Sequence, residues 1–339
     1  MDKIVYVFGA GFSAPLGLPV MNNFLIKSKD MYFENPQKYS YFKSIYDLIK
    51  EMSIAKSYYD TDLMNIEEIF SIIEMDGQLK GRKIRSQFVD YIKDVIEYHT
   101  PAIDEYSEGL PSNWHEFVFG RNKVQSLFGF FVGSLAALSL CKTKTTYIGC
   151  QGKPLDYAHY AKKTEYSIIT LNYDTVPENF IDYIKNSYKG DDFHIKIAKL
   201  HGCIKLGNIV PPTWRKSVNK SIVPAWNSAF DLLVEANHIR FIGYSLPTAD
   251  AYLKYLMKSA AIKSHHLKSI DVICYDPDGS VKQRYDDFVE FKYYRFKNAK
   301  TDDYLNHLFD NYKKRFQIGS DSITLDRLEE SHNEFYLTN

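Results

Sequence analysis

Residues 4 to 20 read IVYVFGAGFSAPLGLPV: an apolar run that enters Gly9-Ala10-Gly11, then a small polar residue, then a Gly-Leu-Pro turn. A strand that feeds a glycine turn and a helix start exposes backbone N–H groups with no intrahelical partner. Those groups and the helix dipole favour an anion such as a phosphate. The spacing Gly9-x-Gly11-x-x-Ala14 fits the G-x-G-x-x-G/A dinucleotide fingerprint. In that reading Gly9 makes the tight turn, Gly11 lets backbone approach a pyrophosphate, and Ala14 is small enough for close helix–strand packing. An ordinary glycine turn looks the same over so short a stretch, so the remainder of the chain has to decide.

From residue 166 onward, apolar runs alternate with helical patterns. Strand-like runs are YSIITLN (166–172), FHIKIAKLHG (193–202), HIRFIGYSL (238–246), SIDVICYDPD (269–278) and VEFKYYRF (289–296). Between them VPENFIDYIK, PAWNSAFDLLVEA and TADAYLKYLMKSAAIK carry helical spacing, with Pro177 near one helix start and Thr248 or Asp250 near the cap of another. DDYLNHLFDNYKKRF is a closing helix. Such alternation argues a mostly parallel sheet covered on both faces.

Residues 22 to 145 lack strong strand signals and carry helical spacing, with Asn65 a cap before Glu67 and Glu68, and a loop over 99–113. The expected fold is therefore α/β, a Rossmann-like mostly parallel sheet with a large helical insertion after the first strand. On this reading residues 1–21 plus 165–318 form the Rossmann-like, dinucleotide-binding domain, 22–164 the helical insertion, and 319–339 a polar, loosely held C-terminal tail.

Several classes are disfavoured. The chain has 339 residues, 45% hydrophobic and 25% charged, as in ordinary globular proteins. Its formal net charge of +0 provides no global field to recruit nucleic acid or an anionic membrane. Cys141, Cys150, Cys203 and Cys274 form no C-x-x-C pair, so neither a four-cysteine zinc site nor a disulfide framework is expected. Asp2 and Lys3 before a short apolar run that ends in glycine do not make a signal peptide, and a cytoplasmic setting is the simplest expectation. SLFGFFVGSLAALSL (126–140) is shorter than the roughly 20 residues a bilayer span needs. With Gly129, Gly133 and Ala137 every fourth residue, it reads as a buried, close-packing helix.

In an open parallel sheet, ligands sit beyond the carboxyl ends of the strands. The strand ends here are Gly9-Ala10-Gly11-Phe12-Ser13, Thr170-Leu171-Asn172-Tyr173-Asp174, Leu200-His201-Gly202, Gly243-Tyr244-Ser245-Leu246 and Asp276-Pro277-Asp278. Gly9, Ala10 and Gly11 would hold pyrophosphate, with Ser13 donating to it. Asn172 offers a donor and an acceptor for a ribose hydroxyl or a water. Asp174 would accept from a carboxamide. His201, with an ordinary pKa near 6.5, suits proton transfer near neutrality. Ser245, beside Gly243, would bond phosphate or ribose, and Asp276 or Asp278 the adenosine ribose.

Blander or competing readings exist for each. Asn172 and Asp174 would also shape a turn or cap a helix. Gly243-Tyr244-Ser245-Leu246-Pro247 nearly matches a hydrolase nucleophile elbow, but Pro replaces the last Gly. Cys203 lies two residues from His201. Glu67 and Glu68 read as a solvated helix face, although acids from the insertion could reach the cleft, and His265-His266 reads as a surface turn. A nicotinamide dehydrogenase is disfavoured: its ribose-binding acid would fall near Asp30, in a helical stretch.

GAGFSAPLGLP, TLNYD, LHG and FIGYSL occur in the order used by the sirtuin family, and the set resembles the bacterial sirtuin-like NADases of antiphage defence. The resemblance spans residues 4 to about 280. It implies Asn172 and His201 as the catalytic pair, Gly9, Ala10, Gly11, Ser13 and Ser245 as NAD contacts, and Asp174 as the carboxamide reader. It implies NAD+ as substrate, nicotinamide and ADP-ribose as products, and no metal. It also implies a homo-oligomer and a separate regulator such as a HerA-type ATPase or a short Argonaute. Departures from the deacylases are the missing Asp-Phe-Arg after Gly-Leu-Pro, the missing pair of C-x-x-C motifs after His-Gly, and a longer gap from Asn172 to His201. Alternatives are an NAD or ADP-ribose sensor that does not cleave, an ADP-ribosyltransferase, or a deacylase.

Overall fold

The computed structural model describes residues 1–80, 84–103, 113–116, 118–120, 122–142, 155–159, 164–187, 189–190, 194–211, 220–248, 250–314 and 320–338. Cys150, most of the expected loop at 99–113, and Ala249 lie outside the described residues.

Strand β1 (Asp2–Phe8) alternates two environments. Ile4, Tyr6 and Phe8 enter one core, and Val5 and Val7 the opposite one, as the two-residue period of a strand dictates. A single helical turn, α1 (Ala10–Ser13), follows. The insertion then supplies α2 (Phe24–Glu34), α3 (Phe42–Lys56), α4 (Ile66–Lys80), α5 (Ile84–His99) and α6 (Lys123–Leu135). Asn65 does cap α4: its Oδ1 accepts the N–H groups of Glu67 and Glu68 at 3.0 and 3.1 Å.

The buried run at 126–140 is not one helix. Helix α6 stops at Leu135, Ala137 takes a left-handed φ of 58°, and β2 (Leu138–Lys142) begins. The helix itself is buried from Gln125 to Leu135 because it lies on the sheet, with Phe131 edge-on to Tyr6 at 5.3 Å between ring centroids. The insertion is thus not purely helical. Strand β2 pairs antiparallel with β3 (Leu155–His159), within the span expected to be helical.

The next part of the chain builds the main sheet and its covering helices, apart from one short strand. In order the elements are β4 (Thr164–Thr170), α7 (Val176–Ser187), β5 (Lys189–Gly190), β6 (Lys196–Lys199), α8 (Val223–Glu235), β7 (His238–Ile242), α9 (Ala251–Lys263), β8 (Ser269–Cys274), α10 (Ser280–Asp286), β9 (Tyr294–Asn298) and α11 (Thr301–Lys313). The exception is β5, which pairs in parallel with β3 in the second sheet. Among the described residues the main sheet is six-stranded, in the order β6-β4-β1-β7-β8-β9, and every pairing in it is parallel. This is the doubly wound order of a Rossmann-like α/β fold, in which the strand order reverses next to the first strand. Strand β1 is the centre, flanked by β4 and β7, so the reversal falls where the turns after β1 and β7 meet.

The C-terminal segment is not a loose tail. β10 (Ser322–Thr324) joins the second sheet beside β2, and α12 (Leu328–Leu337) docks on the main one. Leu325, Leu328 and Phe335 are buried there. Arg240 of β7, itself buried, donates from Nη1 and Nη2 to the Glu329 carboxylate at 2.8 and 2.6 Å. Counting this segment's charged residues hides the fact that its apolar ones share a face.

Candidate functional site

The two turns at the reversal point are packed backbone to backbone. Gly9 N–H donates to the Ile242 carbonyl at 3.1 Å and Gly11 N–H to the Gly243 carbonyl at 2.9 Å. A Cβ on Gly11 would stand 2.9 Å from the Gly243 Cα, and one on Gly243, whose φ is +62°, would stand 2.2 Å from the Phe12 nitrogen. These glycines are therefore demanded by each other. That corrects the phosphate reading in part: the N–H groups of Gly9 and Gly11 are committed to the neighbouring turn, and α1 is too short to add much dipole.

Beside these turns lies a cavity of about 690 Å³, within the usual size range of small-molecule sites. Its floor is made by strand ends: Gly9, Ala10 and Gly11 after β1, Asn172 and Asp174 after β4, His201 after β6, Gly243 and Ser245 after β7, and Cys274 at the end of β8. Its far wall comes from the insertion, with Phe24, Ile66, Glu67, Ile92 and Ile96.

Asn172 is buried, and its Nδ2 donates to the Gly9 carbonyl at 2.9 Å and to Ser13 Oγ at 3.3 Å. Ser13 itself is buried behind the floor and is not part of the cavity surface, so the expected donation to phosphate is replaced by support of Asn172. Asp174 accepts the Val176 N–H at 3.0 Å and so caps α7. Burial pushes its carboxyl above the ordinary range, against the opposing pull of Lys199. The Lys199 ammonium donates to the Asp174 carbonyl and pairs with Glu178 at 3.0 Å.

His201 is buried and held through its backbone, its carbonyl accepting the Val210 N–H at 3.0 Å. Its ring lies 6.1 Å from that of Tyr173, and its Nε2 stands 3.5 Å from the Asp250 carboxylate. Ser245 lines the cavity, and its carbonyl accepts from Arg284 at 3.0 Å. The next residue, Leu246, is fully buried at a left-handed φ of 50°, a strained state for a branched side chain. Burial pushes the Cys274 thiol up to about 12, which keeps it protonated and a poor nucleophile.

Asp276 does not line the cavity. Its two carboxylate oxygens accept the N–H groups of Val281 and Lys282 at 3.0 and 2.8 Å, which holds the start of α10. Asp278 accepts the Ser280 N–H at 3.1 Å and is exposed. An acid followed by a glycine and a helix is as good a cap as it is a ribose ligand, and here the cap wins.

Glu67, half-buried, lines the cavity, the alternative held open for acids of the insertion. Two features escaped the sequence. Asp250 turns from the helix it precedes toward His201. The end of β9 contributes Lys300, Thr301 and Asp302, with Thr301 Oγ1 donating to the Gly11 carbonyl at 2.8 Å. The last of these was findable by following the sixth strand to its carboxyl end. Among the described residues there is no group of three or more His, Cys, Asp or Glu placed to hold a metal ion. No described helix is long and apolar enough to cross a membrane.

The fold and site thus define a Rossmann-like α/β protein with a polar-floored cavity at its topological switch point. No family model and no curated protein matches the sequence. Among solved structures, Sir2Tm bound to a propionylated peptide is similar over 91% of this chain and 92% of its own, at 12% identity and a TM-score of 0.36. A Sir2–p53 peptide–NAD+ structure matches over 91% and 92%, at 13% identity and a TM-score of 0.36. A third, from work on the structural basis of sirtuin substrate affinity, covers 91% and 93% at 13% identity and a TM-score of 0.39. At such scores the likeness is too loose to carry a conclusion, and the fold rests on the strand order itself.

Proposed function

We propose that this protein hydrolyses NAD+ at its nicotinamide–ribose bond. The supporting observation is that Asn172, His201 and the Gly9–Gly11 turn border one cavity at the sheet's switch point. The dinucleotide would lie across that point, its nicotinamide end toward Asp174. Water attacks C1′ of the ribose as the C1′–N bond breaks. The bonding electron pair leaves with nicotinamide, and the water proton passes to His201. With Nδ2 of Asn172 held by the Gly9 carbonyl, Oδ1 is the acceptor left to orient the water or a ribose hydroxyl.

The test is incubation with NAD+ and chromatography. Equal release of nicotinamide and ADP-ribose is expected, and His201→Ala should lower the rate about 10²–10⁴-fold with the fold retained. Unchanged turnover in that variant removes the proposed role of His201. Tight binding of intact NAD+ would favour a sensor, and label retained on a macromolecule a transferase.

The motif resemblance extends the proposal to antiphage defence by NAD depletion in the cytoplasm, as a homo-oligomer under a separate regulator such as a HerA-type ATPase or a short Argonaute. Native mass measurement giving only monomer, with and without NAD+, would count against assembly.

A further inference from the structure

We propose that Asp250 is a positioning residue for His201, holding its imidazole as the Nε2–H tautomer so that Nδ1 is the atom that takes the proton. This rests on the hydrolysis reading for its purpose, although not for its geometry. Asp250 occupies the N-cap position of α9, where an aspartate ordinarily accepts a backbone N–H of the first turn. Here its side chain makes no cap bond. The carboxylate is instead fully buried, accepts the Tyr244 hydroxyl at 2.9 Å, and stands 3.5 Å from His201 Nε2.

A cap forgone costs the helix about 1 kcal/mol, and a carboxylate taken out of water costs more unless it is compensated. The Tyr244 hydroxyl, which donates to it at 2.9 Å, and the imidazole at 3.5 Å offset part of that cost. A carboxylate on one ring nitrogen fixes which nitrogen carries the hydrogen and stabilises the imidazolium once the other has accepted a proton. The proton taken by Nδ1 remains on the imidazole until it is released to solvent.

The groups that face His201 come from several elements. They are Asp250 ahead of α9 at 3.5 Å and Tyr173 after β4 at 6.1 Å between rings, with Tyr244 after β7, Asp174 after β4 and Glu67 on α4 lining the same cavity. Tyr173 and Tyr244 are both held well above the usual phenol range by burial, with Asp250 and Glu67 adding to the effect, so neither hydroxyl ionises near neutrality. Among the described residues, the Asp250 carboxylate stands directly against the ring.

Two measurements test the assignment in the full chain. In ligand-free protein with ¹⁵N-labelled histidine, the His201 resonances should report the Nε2–H tautomer. Its titration should move to lower pH by one unit or more in Asp250→Asn, because removing a facing carboxylate disfavours the charged ring. An Nδ1–H tautomer, or an unmoved titration, overturns the proposal. Should Asp250→Asn fail to fold, the tautomer in the unaltered protein decides alone. In kinetics, Asp250→Asn should lower kcat about 10–10³-fold with KM little changed, shift the acid limb of kcat/KM downward in pH, and be partly rescued by Asp250→Glu. A folded variant with full kcat and an unmoved limb overturns it. A protein whose His201 titrates as stated but leaves NAD+ intact upholds the dyad and overturns the hydrolysis.

Discussion

Asn172 Nδ2 donates to the Gly9 carbonyl at 2.9 Å, and this bond ties the turn after β4 to the turn after β1. The two turns are 163 residues apart in sequence and are neighbours because β1 and β4 pair in parallel from Asp2 with Thr164 to Phe8 with Thr170. Asn172 therefore has a structural duty besides any chemical one. Asn172→Ala removes one of the two donors to the buried Gly9 carbonyl, which keeps the Phe12 N–H at 2.9 Å, and should cost about 1 kcal/mol. Asn172→Asp also loses the donor and sets a carboxylate against that carbonyl, so it should be the worse of the two. Urea unfolding of both variants checks the order; equal stability to the parent would mean the bond anchors nothing.

Gly243 and Gly17 separate two reasons for a left-handed glycine. Gly17 has φ +93° with open space where a Cβ would go, whereas Gly243 has φ +62° and the Phe12 nitrogen at 2.2 Å. Gly17→Ala should cost only the conformational term, about 1 kcal/mol. Gly243→Ala adds a backbone clash and should cost about 3 kcal/mol. It would also push the turns after β1 and β7 apart and weaken NAD+ binding. Comparable denaturation midpoints for the two variants would contradict the close packing described.

Those same turns show how far the sequence could be read. The apolar runs announced the strands because a parallel sheet buries both faces, and the turns named after β1, β4, β6 and β7 border one cavity. Local chemistry was where the reading failed. An aspartate after a strand is equally a ligand or a cap: Asp276 proved a cap, and Asp250, read near a cap, turned away from the helix toward His201. For Asp250 the outcome depends on Tyr244, six residues back across a turn, and on His201 from another strand, and the residues next to Asp250 do not announce either contact. The Gly9 and Gly11 spacing was likewise genuine, but its partner was Gly243 of the adjacent turn, and only the pairing of β1 with β7 makes that visible. The second sheet was hidden for another reason: β10 is three residues long, and β5 is two.

His332 gives the fold a predictable response to acid. It is fully buried on α12, with Nδ1 2.9 Å from the Tyr304 hydroxyl and Nε2 3.1 Å from Asp271. Burial pushes its pKa down from 6.5 to about 4, so the native ring stays neutral where an unfolded histidine charges. Between pH 6.5 and about 4 the unfolded chain binds a proton that the native chain refuses. Stability from this group is therefore fully present above pH 6.5 and is lost as pH falls toward 4, by roughly 3 kcal/mol in all. Burial also pushes Asp271 upward, but hydrogen bonds from His332 and Arg295 outweigh it and hold the carboxyl well below its usual range. Its own loss thus comes at lower pH still. Urea unfolding from pH 7.5 to 4.5 should show the slope, and His332→Gln should flatten it while lowering stability throughout. A slope identical in the variant would assign the effect elsewhere.

The Arg240–Glu329 pair makes the last helix part of the sheet. Arg240 is buried on β7, donates to the Tyr6 hydroxyl at 2.9 Å, and lies 3.9 Å from Asp271, while its main partner comes from α12. The Glu329 side chain keeps 36% of its surface exposed, so water softens that end of the pair and not the other. Removing Glu329 strands a guanidinium that cannot deprotonate, in a place from which it cannot reach solvent. Glu329→Ala should therefore cost about 3 kcal/mol, and Glu329→Gln nearly as much, since an amide retains one acceptor but no charge. Hydrogen exchange should then show α12 opening ahead of the sheet, with Leu328 and Phe335 losing protection first. If α12 instead exchanges at its parental rate, apolar packing rather than the ion pair holds the C-terminus in place.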